Sequence, residues 1–421
     1  MYGVKQLWLA RLKKIAGPDG HWLALAGVAL LWLTPTKGYV PLILWVAGLY
    51  GLWNWRKLAA AWNNVAGWCF ALGLVWAVAS VAWSFYPMGS GRDLVKSLPM
   101  VAATMALPAI FDRPTRIWNA LLVSAGVVSL KLALDLWRLW AALGWSALLT
   151  ESRFYHPYLY NHPNVSSMMA GLAALVFGVR LLAGGQHRKW RALLVLGLLV
   201  DLLYLEVLAS RGPQLVFALV VLSLPLALLP SKRVRVVAAL LAAAIGVGLW
   251  CAAGSINPRF EDRTMKHYND RDTIWGHSWL LVTKRPIVGY GFGKKAFEKA
   301  VYENPELRGP RVRFHYPHAH SYWLMVPFQG GFVALALWGA GWLALGGRLA
   351  YRMCRWTAQA PPAWRARVQV RLLPALLGAG VMFILVYGIG DYPDNAIRHA
   401  QFYLAGLIMA LTRPAVPEAD A

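Results

Sequence analysis

Apolar stretches about as long as a bilayer core is thick recur along the whole chain, and they constrain its fold more than any other feature. A helix rises about 1.5 Å per residue, so roughly 20 apolar residues cross a hydrocarbon core of about 30 Å. Such segments fall at 20–36, 38–55, 64–84, 93–111, 116–144, 164–183, 191–209, 213–230, 233–252, 321–347, 370–390 and 396–412. In lipid each backbone polar group needs a partner within its own segment, which favours helices. The expected fold is an all-α polytopic membrane protein of about twelve transmembrane helices. With 58% hydrophobic and only 14% charged residues, the chain is excluded as a soluble enzyme, a secreted disulfide scaffold or a disordered protein. Its 23 Trp and 17 Tyr suit anchors at a membrane interface. Cys69, Cys251 and Cys354 lie too far apart in sequence to suggest a metal cluster and read as free thiols.

Forty-two Lys and Arg against 18 Asp and Glu give a net charge of +24, which in a soluble protein would suggest a nucleic-acid partner. The location of the charges argues against one. With a cytoplasmic N-terminus, 22 basic residues collect on that side, including Lys13, Lys14, Arg188, Lys189, Arg191, Lys232, Arg233, Arg235, Arg365 and Arg367. The short loops of the other face hold six: Lys37, Arg92, Lys96, Arg153, Arg211 and Arg398. This asymmetry predicts that both termini are cytoplasmic. The first apolar run follows a basic leader without a small-residue cleavage site, so no cleavable signal peptide is expected.

Four parts follow: nine spans in 1–252, a polar outer-face loop of 68 residues at 253–320, three spans in 321–412, and a tail at 413–421. The loop carries twelve basic residues, among them Arg263, Arg271, Arg285 and Arg313, and so suits an anionic ligand. Ile274, Trp275, Leu281 and Val282 predict an amphipathic helix over Thr273 to Lys284, on or near the membrane. Pro286-Ile-Val-Gly-Tyr-Gly-Phe-Gly293 predicts a turn-rich segment, and Lys294 to Tyr302 a second short helix. The loop is expected to be a folded lid.

Several residues read two ways. The segment ESRFYHPYLYNHPN at 151–164 suits either stacking on sugar rings or an aromatic belt. Arg211, in Ala209-Ser-Arg-Gly-Pro213, is either a snorkelling anchor, paired or not with Glu206, or an oxyanion ligand at a helix start. His320 is either an interfacial His bonded to backbone or a general base, since imidazole titrates nearest physiological pH. Asp391 either orients His320 or an acceptor hydroxyl, or pairs with Arg398. Lys131 and Asp135 form either a self-neutralised i,i+4 pair or, with Arg138, part of a transporter's ion pathway. The two halves show no repeat of the kind transporters use, and a basic lid would serve a transporter little. No metal or other cofactor is expected. His315, His318 and His320 lack a fourth ligand for zinc, and Asp270-Arg-Asp272 holds its own counter-charge.

Three blocks stand in a suggestive order: Ser210-Arg211-Gly212; Arg271-Asp-Thr-Ile-Trp275 followed by Pro286-Ile-Val-Gly-Tyr-Gly291; and His318-Ala-His-Ser321, with Gly330-Gly331 beyond. In these the chain resembles the O-antigen ligase family, which shares a superfamily with O-antigen polymerases and protein O-oligosaccharyltransferases. The resemblance implies a multi-pass glycosyltransferase of the bacterial inner membrane, working on its periplasmic face in lipopolysaccharide assembly. It would take a glycan from undecaprenyl diphosphate and join it to lipid A-core oligosaccharide. It further implies His320, Arg211 and Arg271 as catalytic residues, with His318, Ser321, Arg263, Arg285, Arg313, Trp275 and Asp391 as substrate-binding candidates. Ser321 departs from the pattern, where Asn often follows the second His.

Overall fold

The computed structural model describes residues 21–33, 39–148, 151–152, 160, 162–229, 231–256, 271–303, 316–392 and 395–413. Its regular elements are α1 (His21–Leu33), α2 (Val40–Trp53), α3 (Trp55–Trp62), α4 (Val65–Ala79), α5 (Pro87–Ile110), α6 (Pro114–Leu148), α7 (Pro163–Ala183), α8 (Arg188–Leu208), α9 (Arg211–Leu228), α10 (Lys232–Ile256), α11 (Arg271–Lys284), α12 (Lys294–Tyr302), α13 (Tyr322–Gln359), α14 (Trp364–Gly390) and α15 (Asn395–Thr412). No strand occurs among the described residues. Each of the twelve apolar segments falls on a helix. By length and composition, however, among the described residues only α5, α6, α7, α9, α13 and α14 can each cross a bilayer, with α3 and α4 a seventh span bent by 101°. The apolar helices α1 and α2 are shorter, at 13 and 14 residues. Charges dilute α8, which carries Asp201 and Glu206 as well as three basic residues near its start.

Some boundaries differ from expectation for local reasons. The third segment ends at Ala79, where residues 80–83 turn, and the fourth begins at Pro87, a residue suited to a first helical position. That early start brings Arg92 into α5, one residue ahead of Asp93. Helix α7 is buried nearly all round, with Met168, Ala170, Ala173 and Val179 in the core, and packs on α6, α8, α14 and α9. On α8, by contrast, Leu193, Leu196, Leu199 and Leu203 are exposed along one face, as lipid contact requires. Lipid tails are as apolar as leucine, so close packing rather than burial alone holds such helices together.

Within the loop both expected helices form, and they pack on protein. Helices α11 and α12 bury Ile274, Leu281, Val282, Ala296, Phe297 and Ala300 in a small separate core with Tyr290, Tyr316, Met325 and Phe328. The inward face of α11 therefore packs on protein, and its lipid-ready residues are Trp279 and Leu280 on the other side. Tyr290 stacks flat on Phe328 with ring centroids 5.0 Å apart. The PIVGYG segment docks on a break in α13 at Gly330 and Gly331. This break frees carbonyls that an unbroken helix would use. The backbone N–H groups of Tyr290 and Gly291 donate to the carbonyls of Phe328 and Gln329 at 2.8 and 3.0 Å, and that of Phe332 donates to Pro286 at 2.6 Å. Gly331 has φ +67°, and a Cβ there would meet the Ile287 carbonyl at 2.0 Å. The two glycine motifs thus form one joint. From the bundle, Asp93 Oδ2 accepts from the backbone N–H of Lys294 at 3.1 Å, capping α12 and tethering the lid to α5.

Candidate active site

Five distant segments meet where the lid joins the bundle. Asp391, which follows the last residue of α14, is the hub. Its Oδ1 lies 3.4 Å from His320 Nδ1 and its Oδ2 lies 3.9 Å from an Arg271 guanidinium nitrogen. Tyr387, one turn earlier, donates its hydroxyl to Oδ2 at 2.8 Å, and the Tyr392 backbone N–H donates to Oδ1 at 2.8 Å. Asn164, in the first turn of α7, donates its amide to Oδ2 at 3.2 Å and accepts from the Ser210 hydroxyl at 3.2 Å. Ser210 is the N-cap of α9, whose first residue is Arg211. The backbone N–H of Tyr322 donates to the Asp391 carbonyl at 3.1 Å. The N-termini of α7, α9 and α13 therefore all stand near one carboxylate, and their combined dipoles favour anions at this spot.

The histidines are held in defined states. Nδ1 of His318 accepts from the backbone N–H of His320 at 3.2 Å, so the neutral ring carries its hydrogen on Nε2. Burial, then His320 and Lys294, push the His318 imidazole down to about 3, with Asp391 opposing. His320 has φ +47°, an uncommon conformation for a residue with a side chain, and the Trp275 indole donates to its carbonyl at 3.4 Å. With Nδ1 facing an acceptor-only carboxylate, the hydrogen belongs on Nδ1, and Nε2 is left as the basic atom. Burial alone would raise the Asp391 carboxyl, but His320, Arg271 and Tyr387 outweigh it and hold the group well below the usual carboxylate range.

The sequence left Asp391 between two roles, and the geometry places it beside His320 and Arg271. Arg398 instead donates to the Tyr392 hydroxyl and stands 4.8 Å from that ring's centroid. Lys294 approaches the same ring at 5.6 Å. Glu206 is met by the Gln214 amide at 3.4 Å. Ser321 is buried as the N-cap of α13, and Trp275 supports the His320 backbone. Arg285 lies over Phe85 and Tyr290, at 5.8 and 4.9 Å, which assigns it to the lid core. Arg263, Arg313, His315 and most of the 151–164 segment lie outside the described residues. Sequence reasoning missed Asn164, Tyr387, Tyr392 and Lys294. For Asn164 a signal existed, since it follows the His162-Pro163 helix start at the outer end of a span.

A chamber of about 740 Å³ adjoins this cluster, bounded by α4, α5, α13 and α15. Tyr392, Arg398, Gln329 and Tyr322 line its polar end, while Trp62, Trp68, Phe70, Leu74 and Trp342 line the rest. An anion-attracting cluster beside a long apolar cavity fits an amphiphile with a charged head. No group of His, Cys, Asp and Glu suited to a metal ion occurs among the described residues. Comparison with curated proteins gives no match. Residues 192–339, which include Arg211, Arg271 and His320, match the family model described as O-Antigen ligase.

Proposed function

We propose that this multi-pass membrane protein is an O-antigen ligase, transferring a glycan from undecaprenyl diphosphate to lipid A-core oligosaccharide on the periplasmic face of the bacterial inner membrane. The observation that carries the reading is the meeting of Arg271, His320, Asp391 and the start of α9 beside the apolar chamber. In this reading the acceptor hydroxyl oxygen attacks the anomeric carbon of the donor. The bond from that carbon to the diphosphate oxygen breaks, and undecaprenyl diphosphate leaves with the electron pair. The hydroxyl proton passes to Nε2 of His320, whose ring Asp391 orients. A single displacement of this kind inverts the anomeric centre. Arg211 and Arg271 stabilise the charge on the leaving group, since guanidinium forks bind phosphate oxygens in pairs and stay charged. Their charge can do the work a metal does elsewhere, so transfer is expected to persist in excess chelator; activity lost in EDTA and restored by Mg²⁺ or Mn²⁺ would overturn that mechanism. Ser321 and His318 line the acceptor side, and the chamber takes part of the polyprenyl chain.

The test is reconstitution of the pure protein with lipid-linked glycan and each candidate acceptor. Transfer to lipid A-core oligosaccharide supports the ligase; growth of the lipid-linked glycan instead would indicate a polymerase, and transfer to a protein would indicate an oligosaccharyltransferase. None of these reactions requires sealed vesicles, whereas transport does. Sidedness is tested by a membrane-impermeant thiol reagent, expected to reach a cysteine placed at Glu303 from the periplasm and not the native Cys354, both exposed on the protein. The reverse pattern would put the site on the wrong face.

A further inference from the structure

We propose that Asn164 is a positioning residue for the transfer reaction, locking the start of the arginine-bearing helix α9 to the carboxylate that orients His320. The inference rests on the glycosyl-transfer reading above. It draws on an arrangement in which one carboxamide joins two parts of the site. Asn164 Oδ1 accepts from Ser210, the residue before Arg211, and Asn164 Nδ2 donates to Asp391, which faces both His320 and Arg271. The cations for the leaving group and the base for the acceptor are thereby connected through one side chain.

The chemistry calls for this residue type. A carboxylate accepts only, and the Ser210 hydroxyl donates here, so the bridge must donate at one end and accept at the other. Asp at position 164 would set a second carboxylate against Asp391, and Leu would keep the bulk while removing both bonds. The Asn164 backbone is itself fixed. Pro163 precedes it, and the Asn164 backbone N–H donates to His162 Nδ1 at 3.2 Å in the first turn of a helix buried nearly all round. A side chain so anchored can hold its two partners in register, and small misplacements of reacting groups cost rate steeply.

The test uses full-length protein purified in detergent, with single-turnover transfer from lipid-linked glycan and donor binding measured from pH 5 to 9. Asn164→Leu should lower the maximal transfer rate by roughly 10- to 100-fold while donor affinity changes less than about threefold. Ser210→Ala should cost less, and in the Asn164→Leu background it should cost nothing further, because the bridge is already broken. Asn164→Asp should move the acid limb of the rate profile to higher pH, since an added carboxylate favours the protonated imidazole. The other charged and titratable groups around that imidazole and its two neighbours are unchanged: His318 and Asp391 face it directly, Arg271 on α11 and Tyr387 on α14 face Asp391, and Lys294 on α12, Tyr392 and Arg398 on α15 surround His318 and its ring contacts. Should Asn164→Leu fail to fold, the Asn164→Asp profile and the Ser210→Ala cost still decide. A wild-type rate in Asn164→Leu, additive Ser210 and Asn164 losses, or an unmoved acid limb in Asn164→Asp would each overturn the inference. Wild-type protein that transfers no lipid-linked glycan to any acceptor would instead overturn the underlying function.

Discussion

Two polar clusters of this helical bundle invite comparison, because each brings together carboxylate, cationic and tyrosine side chains. In the first, on α6 and α8, Lys131 donates to the Leu33 carbonyl at 2.8 Å and sits 3.9 Å from the Tyr160 ring centroid. Asp135 accepts from the Tyr204 hydroxyl at 2.6 Å and lies 3.7 Å from Arg138, while Asp201 accepts from Ser129 at 2.9 Å. Lys131, Asp135 and Asp201 are buried, and none of these residues lines the chamber. The second cluster, around Asp391, is left one-third open at His320 and carries the unusual backbone conformation there. Charge within the bundle is therefore a poor guide to function by itself. The first cluster spends its charges on tying helices together, so the ion pathway considered from sequence gains no support from it. In the second cluster Tyr392 and Arg398 line the chamber, and His320, Asp391 and Arg271 stand behind them. Lys131 still interacts with Asp135, as the i,i+4 spacing predicts, and the Leu33 carbonyl at the end of α1 and the Tyr160 ring add contacts from other segments.

The comparison breaks first at the residues proposed as catalytic. His320→Ala should reduce transfer by about 10² to 10⁴ while donor binding survives, the usual range for loss of a general base. Arg271→Ala and Arg211→Ala should weaken donor binding as well as transfer, with Lys a partial rescue, because a point charge lacks the paired hydrogen bonds. Single-turnover transfer and donor binding on folded variants decide; a wild-type rate in His320→Ala would make that residue structural. Asp391→Asn should cost roughly 10²-fold through misorientation of the imidazole, again with donor binding largely kept.

A smaller effect is expected in the buried cluster. Asp135→Asn should leave transfer within about threefold of wild type while costing roughly 1–3 kcal/mol of stability, since it weakens a charged hydrogen bond in the interior. Thermal unfolding beside the transfer assay checks it, and a large loss of transfer without loss of stability would erase the contrast between the clusters.

The smallest effects concern pH. His318 is depressed in the folded protein, so the unfolded chain binds its proton first, and acidification below about pH 6.5 favours unfolding. The dependence continues down toward the folded value of about 3. Replacing His318 with Asn should flatten the fall of the thermal midpoint between pH 6.5 and about 4. Asp391 has the opposite sign. Its folded value is depressed below the unfolded one of about 3.9, so its stabilising contribution is present above that pH and is lost only in stronger acid. The Asp391→Asn deficit should therefore stay constant from pH 8 to 5; a deficit that vanishes by pH 6 would contradict the observed pairing.

Much of this was legible in the residues. Both lid helices were, the second with the same bounds and the first beginning at Arg271, two residues before the expected Thr273. The turn-rich PIVGYG segment was legible too, because glycine and proline act locally. The choice of Asp391's partner was not. Asn164 and Asp391 stand 227 residues apart, and no local pattern ties an Asn at one helix start to an Asp at another helix end. The cap that Asp93 supplies to α12 spans 201 residues and was equally hidden.

By itself, then, the sequence determined where the helices run, that several of them are apolar enough for a bilayer, and that three blocks carry Arg211, Arg271 and His320, residue types suited to an anionic ligand and to proton transfer. These properties follow from apolar periodicity, helix-breaking residues and side-chain chemistry, all of which act over a few positions. Tertiary structure decided which carboxylate faces His320, which imidazole nitrogen is left basic, which arginine belongs to the lid core, and which charges lie beside the chamber. Hydrogen bonds at about 3 Å depend on how distant helix ends are brought together, and that is fixed only when the bundle and the lid pack as one.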